Sequence, residues 1–414
     1  MTAVGRWSIV YLIGALPVAL ALWDRALLAW LLVGSAVCAF AGWRLYRLAP
    51  SIRTVVLLAF AVRLLAFAAP PSLSDDGYRY LWDGYVQASG VSPFAFTPEQ
   101  ASDLGPSELL ERMNSPTFFS VYPPVLQAAF ALSAVWSSDW RVAWYAWKLV
   151  CLGGEFLTAW LLIRLVGGGG ALMYLLHPVS WIEAVGQAHS EALLVPALLG
   201  AVWLLRRTHT ATLAGIGIAV AALVKLYPLI LLPLFARTWR AWAISIGTLL
   251  FLSAAYLSPE TILNGLESVR LFGAYLEFNG GPYIVLKAAL WEWIPTLGPH
   301  ASRVLLALFA AGALVIGYGY RTQPVRATFW IVALYFACSA TVHPWYGLGL
   351  LALVPIMRPI PVWMPAWSLL SLTTYSRYVW GDELYWWGIS ITWIGALIVA
   401  ALSAWLRRVP RSSG

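Results

Sequence analysis

Apolar residues run in long blocks along this chain, separated by short clusters rich in Arg, Gly and Pro. The blocks fall at about 7–23, 26–43, 54–70, 142–163, 169–185, 190–205, 211–224, 226–236, 241–257, 301–319, 327–342, 346–357, 362–375 and 384–405. A perpendicular crossing of a bilayer takes about 20 apolar residues, so the pattern predicts an all-α polytopic membrane protein with about 11–14 transmembrane helices, the shorter blocks being broken or half-buried. Ala19 and Ala21 form a faint cleavage pattern, but a second block follows at once, and the first is expected to be a retained span. Two further stretches are apolar without reading as crossings. Residues 121–136 begin with Tyr122, Pro123 and Pro124, and residues 282–294 carry Lys287 and Glu292. Counting either as a span would invert everything downstream, so both are expected to lie in the outer interface.

Composition narrows the class. The chain is 61% hydrophobic and 11% charged over 414 residues, against about 45–50% and 25% in soluble domains. That excludes a soluble enzyme, a disordered chain and a nucleic-acid-binding protein. One membrane-embedded unit over 1–414 is expected, with an outer loop at 71–121 and a second at 258–300. Cys38, Cys151 and Cys338 all fall in apolar blocks and imply no disulfide framework. The net charge of +8 contains only three Lys among its 26 cations, and it is best understood as loop topology.

Arg and Lys concentrate in cytoplasmic loops. With a cytoplasmic N-terminus, one set of alternate loops carries Arg6; Arg44, Arg47 and Arg53; Arg164; Arg206 and Arg207; Arg237 and Arg240; Arg321 and Arg326; Arg358; and Arg407, Arg408 and Arg411. The acids provide an independent check. None of the 18 lies in these loops; Glu155 and Glu183 lie within spans, and the remainder fall on the other side. Both termini are therefore expected in the cytoplasm and the polar chemistry outside it.

The longest polar stretch opens off the third block with SDDGYRYLWDG at 74–84, three carboxylates within nine residues. In a helix, Asp76, Arg79 with Tyr80, and Asp83 share one face. A solvated loop cap is the plainer reading of that cluster. Other outer turns add Gln187, His189 and Glu191; Lys225 and Tyr227; Arg270, Glu277 and Asn279; His343 and Tyr346; and Arg377, Asp382 and Glu383. Alone, a His at a span end is an interface residue and a Lys there snorkels toward headgroups. Their joint occurrence on one side carries more weight. Within the spans, Arg63, Lys148, Glu155, His177 and Glu183 are costly and must pair or face a cavity. Lys148 with Glu155, and Arg63 with Glu155, are the pairs to expect. The Gly run at 167–170 follows no strand, and no GxxxxGK[ST], HExxH, CxxC or GxSxG occurs.

The string from Asp75 through Gly84, continuing to Gln87, Gly90, Pro93 and Phe94, resembles the first-loop signature of GT-C glycosyltransferases, specifically the bacterial and archaeal polyprenyl-phosphate-mannose-dependent mannosyltransferases. Ser92 and Phe94 stand where Asn and Tyr are more usual. Tyr122-Pro-Pro resembles the motif that closes that loop. His177-Pro with Glu183, Gly186, His189, Ser190 and Glu191, then Lys225-Leu-Tyr-Pro and His343-Pro-Trp-Tyr, resemble later motifs. The resemblance implies a GT-C fold. It also implies an extracytoplasmic catalytic Asp, Asp76 first and Asp75 second, acting as general base in an inverting single displacement. It further implies a hexose, most often mannose, carried on a polyprenyl phosphate, and a glycan or glycolipid acceptor.

The residues alone lead toward a similar chemistry. A base must reach its proton, and Asp76 sits at a membrane exit. A phosphate leaving group needs donors where charge develops; Lys225, Arg270 and Arg377 lead, with Arg79 and His343 behind. Tyr80, Asp83, Tyr122, His189, Glu191, Tyr227 and Tyr346 complete the expected substrate-binding set. No cofactor is required; the carboxylates can hold a divalent metal without demanding one. The expected partners are the lipid bilayer, a lipid-linked sugar and its acceptor, at the plasma (inner) membrane. A transporter or lipid flippase would instead need its essential polar groups near the midplane, and a scaffold subunit would tolerate loss of the outer charges.

Overall fold

A computed structural model describes residues 1–208 and 211–408; Arg411 lies outside them. Helices account for nearly all regular structure, and among the described residues the only β-type pairing is an isolated bridge from Phe278 and Asn279 to Thr341. The chain is all-α, as its apolar blocks predict.

Helices α1 (Ala3–Ala21) and α2 (Leu28–Leu48) form a hairpin. Thr2 caps α1 by accepting from the Gly5 N–H, and Asp24 accepts from Ala26 N–H at 2.9 Å in the connecting turn. Small buried residues, Ala15 on α1 and Ser35, Cys38 and Ala41 on α2, let the backbones approach, as membrane helix pairs require. Helix α3 (Ile52–Phe67) follows a Ser51 cap. The polar stretch then folds into α4 (Asp76–Ala88), α5 (Ser107–Arg112) and the linking turns. Helix α6 (Pro124–Ala134) packs on α4 and α7.

Helix α7 (Trp140–Leu175) breaks direction at Gly167, where φ is +71° and ψ 173°, a conformation that residues with a Cβ rarely adopt. The Gly run is thus a helix breaker. The short α8 (Pro178–Trp181) leads into a π turn, Ile182–Gly186, before α9 (Glu191–Thr208). Next come α10 (Ala211–Val224), a 3₁₀ turn at Tyr227–Leu231, α11 (Leu232–Phe235) and α12 (Trp239–Ser253). The remainder comprises α13 (Pro259–Tyr275), α14 (Gly281–Trp293), α15 (Ala301–Gly319), α16 (Pro324–Cys338), α17 (Leu348–Leu353), α18 (Trp363–Ser371), α19 (Ser376–Val379) and α20 (Asp382–Arg408).

Among the described residues, five helices are long and apolar enough to cross a membrane, or up to seven if the bent pairs Pro178–Gly186 with Glu191–Arg206 and Trp239–Tyr256 with Pro259–Leu271 each form one span; Pro124–Ala134, Thr212–Val224, Pro324–Cys338 and Pro344–Ile356 are shorter apolar helices. The protein is a multi-pass membrane protein. Proline explains several of the short pieces. The block at 226–236 contains Pro228 and Pro233, each lacking an N–H, and it splits into the 3₁₀ turn and α11.

The costly groups within the spans are held in different ways. Arg63 on α3 meets Glu155 on α7, with Nη2 at 2.6 Å and Nε at 3.0 Å from Oε2. The same guanidinium donates to the Ala59 and Leu175 carbonyls, and Tyr174 donates to Glu155 at 2.8 Å. Lys148 does not reach Glu155. Its ammonium donates instead to the carbonyls of Ala66, Ala69 and Gly186, closing the C-terminal end of α3 against the π turn. An ammonium with three carbonyl partners needs no acid beside it.

Candidate active site

The site is assembled around the first turn of α4. Gln187 fixes the entry to that helix, its Oε1 accepting from the Ser72 and Leu73 N–H groups at 3.0 and 2.8 Å. On the opposite face α4 lies tightly on α6. A Cβ at Gly84 would stand 2.5 Å from the Phe130 carbonyl oxygen, so only glycine permits this approach. Tyr80 stacks on Phe130 with ring centroids 4.8 Å apart, and Tyr122 meets Tyr80 edge-on at 5.1 Å.

The three acids of α4 are in different situations. Asp75 is the N-cap and forms a 2.7 Å ion pair with Arg25, a residue the sequence did not single out. Asp83 is buried and fully engaged: Arg79 Nε donates at 2.8 Å, Ser120 Oγ at 2.5 Å and Gln127 Nε2 at 3.0 Å. Arg79 also donates to the Ser115 and Phe118 carbonyls at 2.9 and 3.0 Å. Arg79 and Asp83 thus clasp the far end of the 71–121 loop onto α4. Asp76 is half-buried, and Tyr80 Oη stands 3.5 Å from its Oδ2. Burial pushes its carboxyl up to about 6; Glu191 and Asp75 add to the rise, while Lys225 and Asn114 oppose it.

Beside Asp76 lies a second layer from α9 and the turns. The π turn and the following residues wrap so that the His189 N–H bonds the Glu183 carbonyl at 2.9 Å. His189 Nδ1 stands 3.4 Å from Tyr80 Oη, and its Nε2 stands 3.3 Å from Glu183 Oε2, outside hydrogen-bond geometry. Tyr375 donates to Glu183 at 3.0 Å. The single phenol proton of Tyr80 therefore has two acceptors in reach, Asp76 and His189. Four rings stack in series: His189 on Trp345 at 3.7 Å, Trp345 on His343 at 4.3 Å, and His343 on Phe278 at 4.3 Å. Burial lowers the basicity of both imidazoles, His343 to about 3, so both are neutral at pH 7.

Lys225 follows α10 and forms an ion pair with Glu191, with its ammonium 3.4 Å from the centroid of the Tyr346 ring. Tyr227 stacks on Tyr335, and its buried hydroxyl has no hydrogen-bond partner among the described residues. Asp76, Tyr80, Tyr122, His189, Glu191, Lys225, His343 and Tyr346 are thus linked by contacts or shared electrostatics. Arg377 sits beside this group, donating to the Glu277 carbonyl and facing the Tyr385 ring at 5.0 Å. Arg270 is exposed on α13, with no hydrogen bond or ion pair to a described residue. Helix α13 also closes over the 71–121 loop, Asn264 donating to the Phe94 carbonyl and Ser268 to that of Phe119.

Sequence reasoning left Trp345 and Tyr375 outside the expected set. The stack of aromatic rings and the Tyr375 bond to Glu183 become visible only in three dimensions; the HPWY string was the one available signal for Trp345. Among the described residues, no three His, Cys, Asp or Glu side chains converge to hold a metal ion.

These features define a polytopic membrane protein with a cluster of acids and a lysine built where helix ends meet a folded polar loop. Residues 10–241 match the family described as Alpha-(1->6)-mannopyranosyltransferase, N-terminal domain, and the chain belongs to that family. It is similar to Alpha-(1->6)-mannopyranosyltransferase B of Corynebacterium glutamicum, 25% identical over 361 residues that cover 74% of this chain and 56% of the relative. The chain thus spans about half the length of the curated relative it matches.

Proposed function

We propose that the protein is a glycosyltransferase that moves mannose from a polyprenyl-phosphate donor to a glycan or glycolipid hydroxyl on the extracytoplasmic face of the plasma (inner) membrane. Both termini then lie in the cytoplasm. The relative's name supports mannose as the sugar and an α-(1→6) bond as the product. The observation that carries the reading is Asp76: a half-buried carboxyl held at about 6, without an ion pair of its own, beside the Lys225–Glu191 pair. A general base works best with a pKa near the working pH. Asp75 is already paired with Arg25 and Asp83 is enclosed by Arg79, Ser120 and Gln127, which favours Asp76 as the base.

In the proposed step the acceptor hydroxyl oxygen attacks the sugar C1 as the C1–O bond to the lipid phosphate breaks. Asp76 takes the hydroxyl proton, and the departing phosphate carries the electron pair. Lys225 meets the charge that develops on that phosphate, turning from Glu191, while Tyr346 packs beneath its ammonium. Arg377, and Arg270 at the rim, extend the positive field. Tyr80, Tyr122, Tyr227, His189 and His343 form the neutral walls. Nucleotide sugars are cytoplasmic, so a site on the outer face requires a donor delivered through the lipid.

The test is transfer by purified protein in detergent. The donor is a radiolabelled polyprenyl-phosphate-mannose, run beside other polyprenyl-phosphate sugars, with and without a chelator, and release of polyprenyl phosphate is the readout. Asp76→Asn is expected to abolish release with expression unchanged. Full activity in that variant would overturn the assignment.

A further inference from the structure

At the arginine-rich end of the bundle, away from α4, the end of α9, the start of α16 and the segment after α17 border a half-open cavity of about 270 Å³. Arg206, Arg326 and Arg358 line it, and no carboxylate does among the described residues. Two of the three are held in place. Arg326 donates to Gln323 Oε1 at 3.1 Å and to the Arg358 carbonyl at 2.9 Å; Arg358 donates to the Pro355 and Met357 carbonyls at 3.0 and 2.8 Å. Arg206 makes no hydrogen bond or ion pair with a described residue. The helix start adds to the field: α16 begins here at Pro324, and its N-cap Gln323 gives no side-chain bond to the backbone, so the first-turn N–H groups are uncapped. Three guanidinium groups and the positive end of a helix dipole line one pocket, with no acid among its described lining residues.

We propose that this cavity binds the phosphate of an anionic phospholipid headgroup. A fixed guanidinium offers several N–H donors in the geometry that suits phosphate oxygens. Basic pockets between membrane helices bind such headgroups in general. The lipid, rather than free phosphate, is favoured by the rest of the lining. Val325, Ile356 and Met357 supply an apolar floor against which the glycerol and upper acyl carbons lie. The volume falls just below the usual range of about 300–1,000 Å³ for small-molecule sites, which suits a headgroup. The inference is independent of the reaction proposed at Asp76.

Delipidated full-length protein in detergent is titrated with phosphatidylglycerol, phosphatidylcholine or inorganic phosphate. Retained lipid is read by native mass spectrometry and stability by melting temperature. Phosphatidylglycerol is expected to be retained and to raise the melting temperature; the other two are not. In R326Q/R358Q the half-saturating phosphatidylglycerol concentration rises by about thirty-fold, whereas R326K/R358K, which keeps the charge but not the fork of donors, recovers part of the affinity. Arg47→Gln, which removes a cation from the same end but not from the cavity, retains the parent affinity. If the double variant does not give a folded, monodisperse species, Arg206→Gln carries the test, with an expected weakening of about five-fold. Equal phosphatidylglycerol affinity in the parent and the folded Arg→Gln variant would overturn the proposal. Equal retention of phosphatidylcholine, or stabilisation by inorganic phosphate alone, would overturn the headgroup assignment.

Discussion

Replacing Asp76 by Asn is expected to remove activity and to stabilise the protein. The carboxyl is held at about 6 instead of its ordinary 3.8. The folded state therefore binds this proton more tightly than the unfolded state does. As pH rises from 3.8 toward 6 the unfolded chain releases its proton first, and the folded state loses stability relative to it; above about 6 the whole penalty is present. At about 1.4 kcal/mol per tenfold change, the gap corresponds to roughly 3 kcal/mol. A half-buried group keeps part of its hydration, which leaves about 1.5 kcal/mol. With about 2.1 cal/mol/K of unfolding entropy per residue, that is about 2 °C in melting temperature. Asn is neutral at every pH and escapes the penalty. Tryptophan-fluorescence melting of the parent and Asp76→Asn, at pH 8 and pH 4 in one detergent, reads the difference directly. The variant melts higher at pH 8, the gap closes by pH 4, and transfer is lost by about a hundred-fold or more. A variant that melts lower at pH 8, or a gap that persists at pH 4, would refute the account of Asp76 as a base strained by its surroundings.

Lys225→Met removes the cation that lowers the Asp76 carboxyl and leaves Glu191 unpaired, and both changes push Asp76 upward; the acid limb of the transfer rate moves above pH 6, and an unmoved limb would show that Lys225 does not act on Asp76. Arg63→Met strands Glu155 in the bundle and is expected to cost about 3–5 kcal/mol, seen as a large fall in melting temperature, whereas Arg63→Met with Glu155→Leu recovers most of it. Gly84→Val forces α4 off α6 at the Phe130 carbonyl and is expected to reduce both stability and transfer, while Gly90→Ala, where no atom lies within 4 Å of the added carbon, alters transfer little despite a positive φ.

Charge pattern made much of this molecule legible. Arg63, Lys148 and Glu155 stood out because ionised groups inside apolar blocks must find partners, and Arg63 was one of the two partners expected for Glu155. The acids at 75–83 stood out because they open a polar stretch at a span exit, and the family resemblance ranked Asp76 first among them. The partners that separate Asp76 from its neighbours were not readable. Arg25 reaches Asp75 across 50 residues and Tyr375 reaches Glu183 across 192, and no local periodicity encodes contacts at such separations. The π turn was hidden for a different reason: one extra residue per turn leaves no compositional trace, yet it sets His189 over Glu183. Lys148 was read as a partner for Glu155 because spacing reveals a shared helix face but not the free carbonyls at the end of another helix.

The Arg63–Glu155 pair also sets a timetable for biogenesis. Arg63 emerges from the ribosome 92 residues ahead of Glu155, roughly 5–20 s at ordinary rates of synthesis. Throughout that interval α3 holds a guanidinium whose exposure to lipid at a helix centre costs about 2.5–3.5 kcal/mol. Pairing with Glu155 can relieve that cost only after α7 has been made, so the order of synthesis leaves Arg63 without its acid for the whole of that interval.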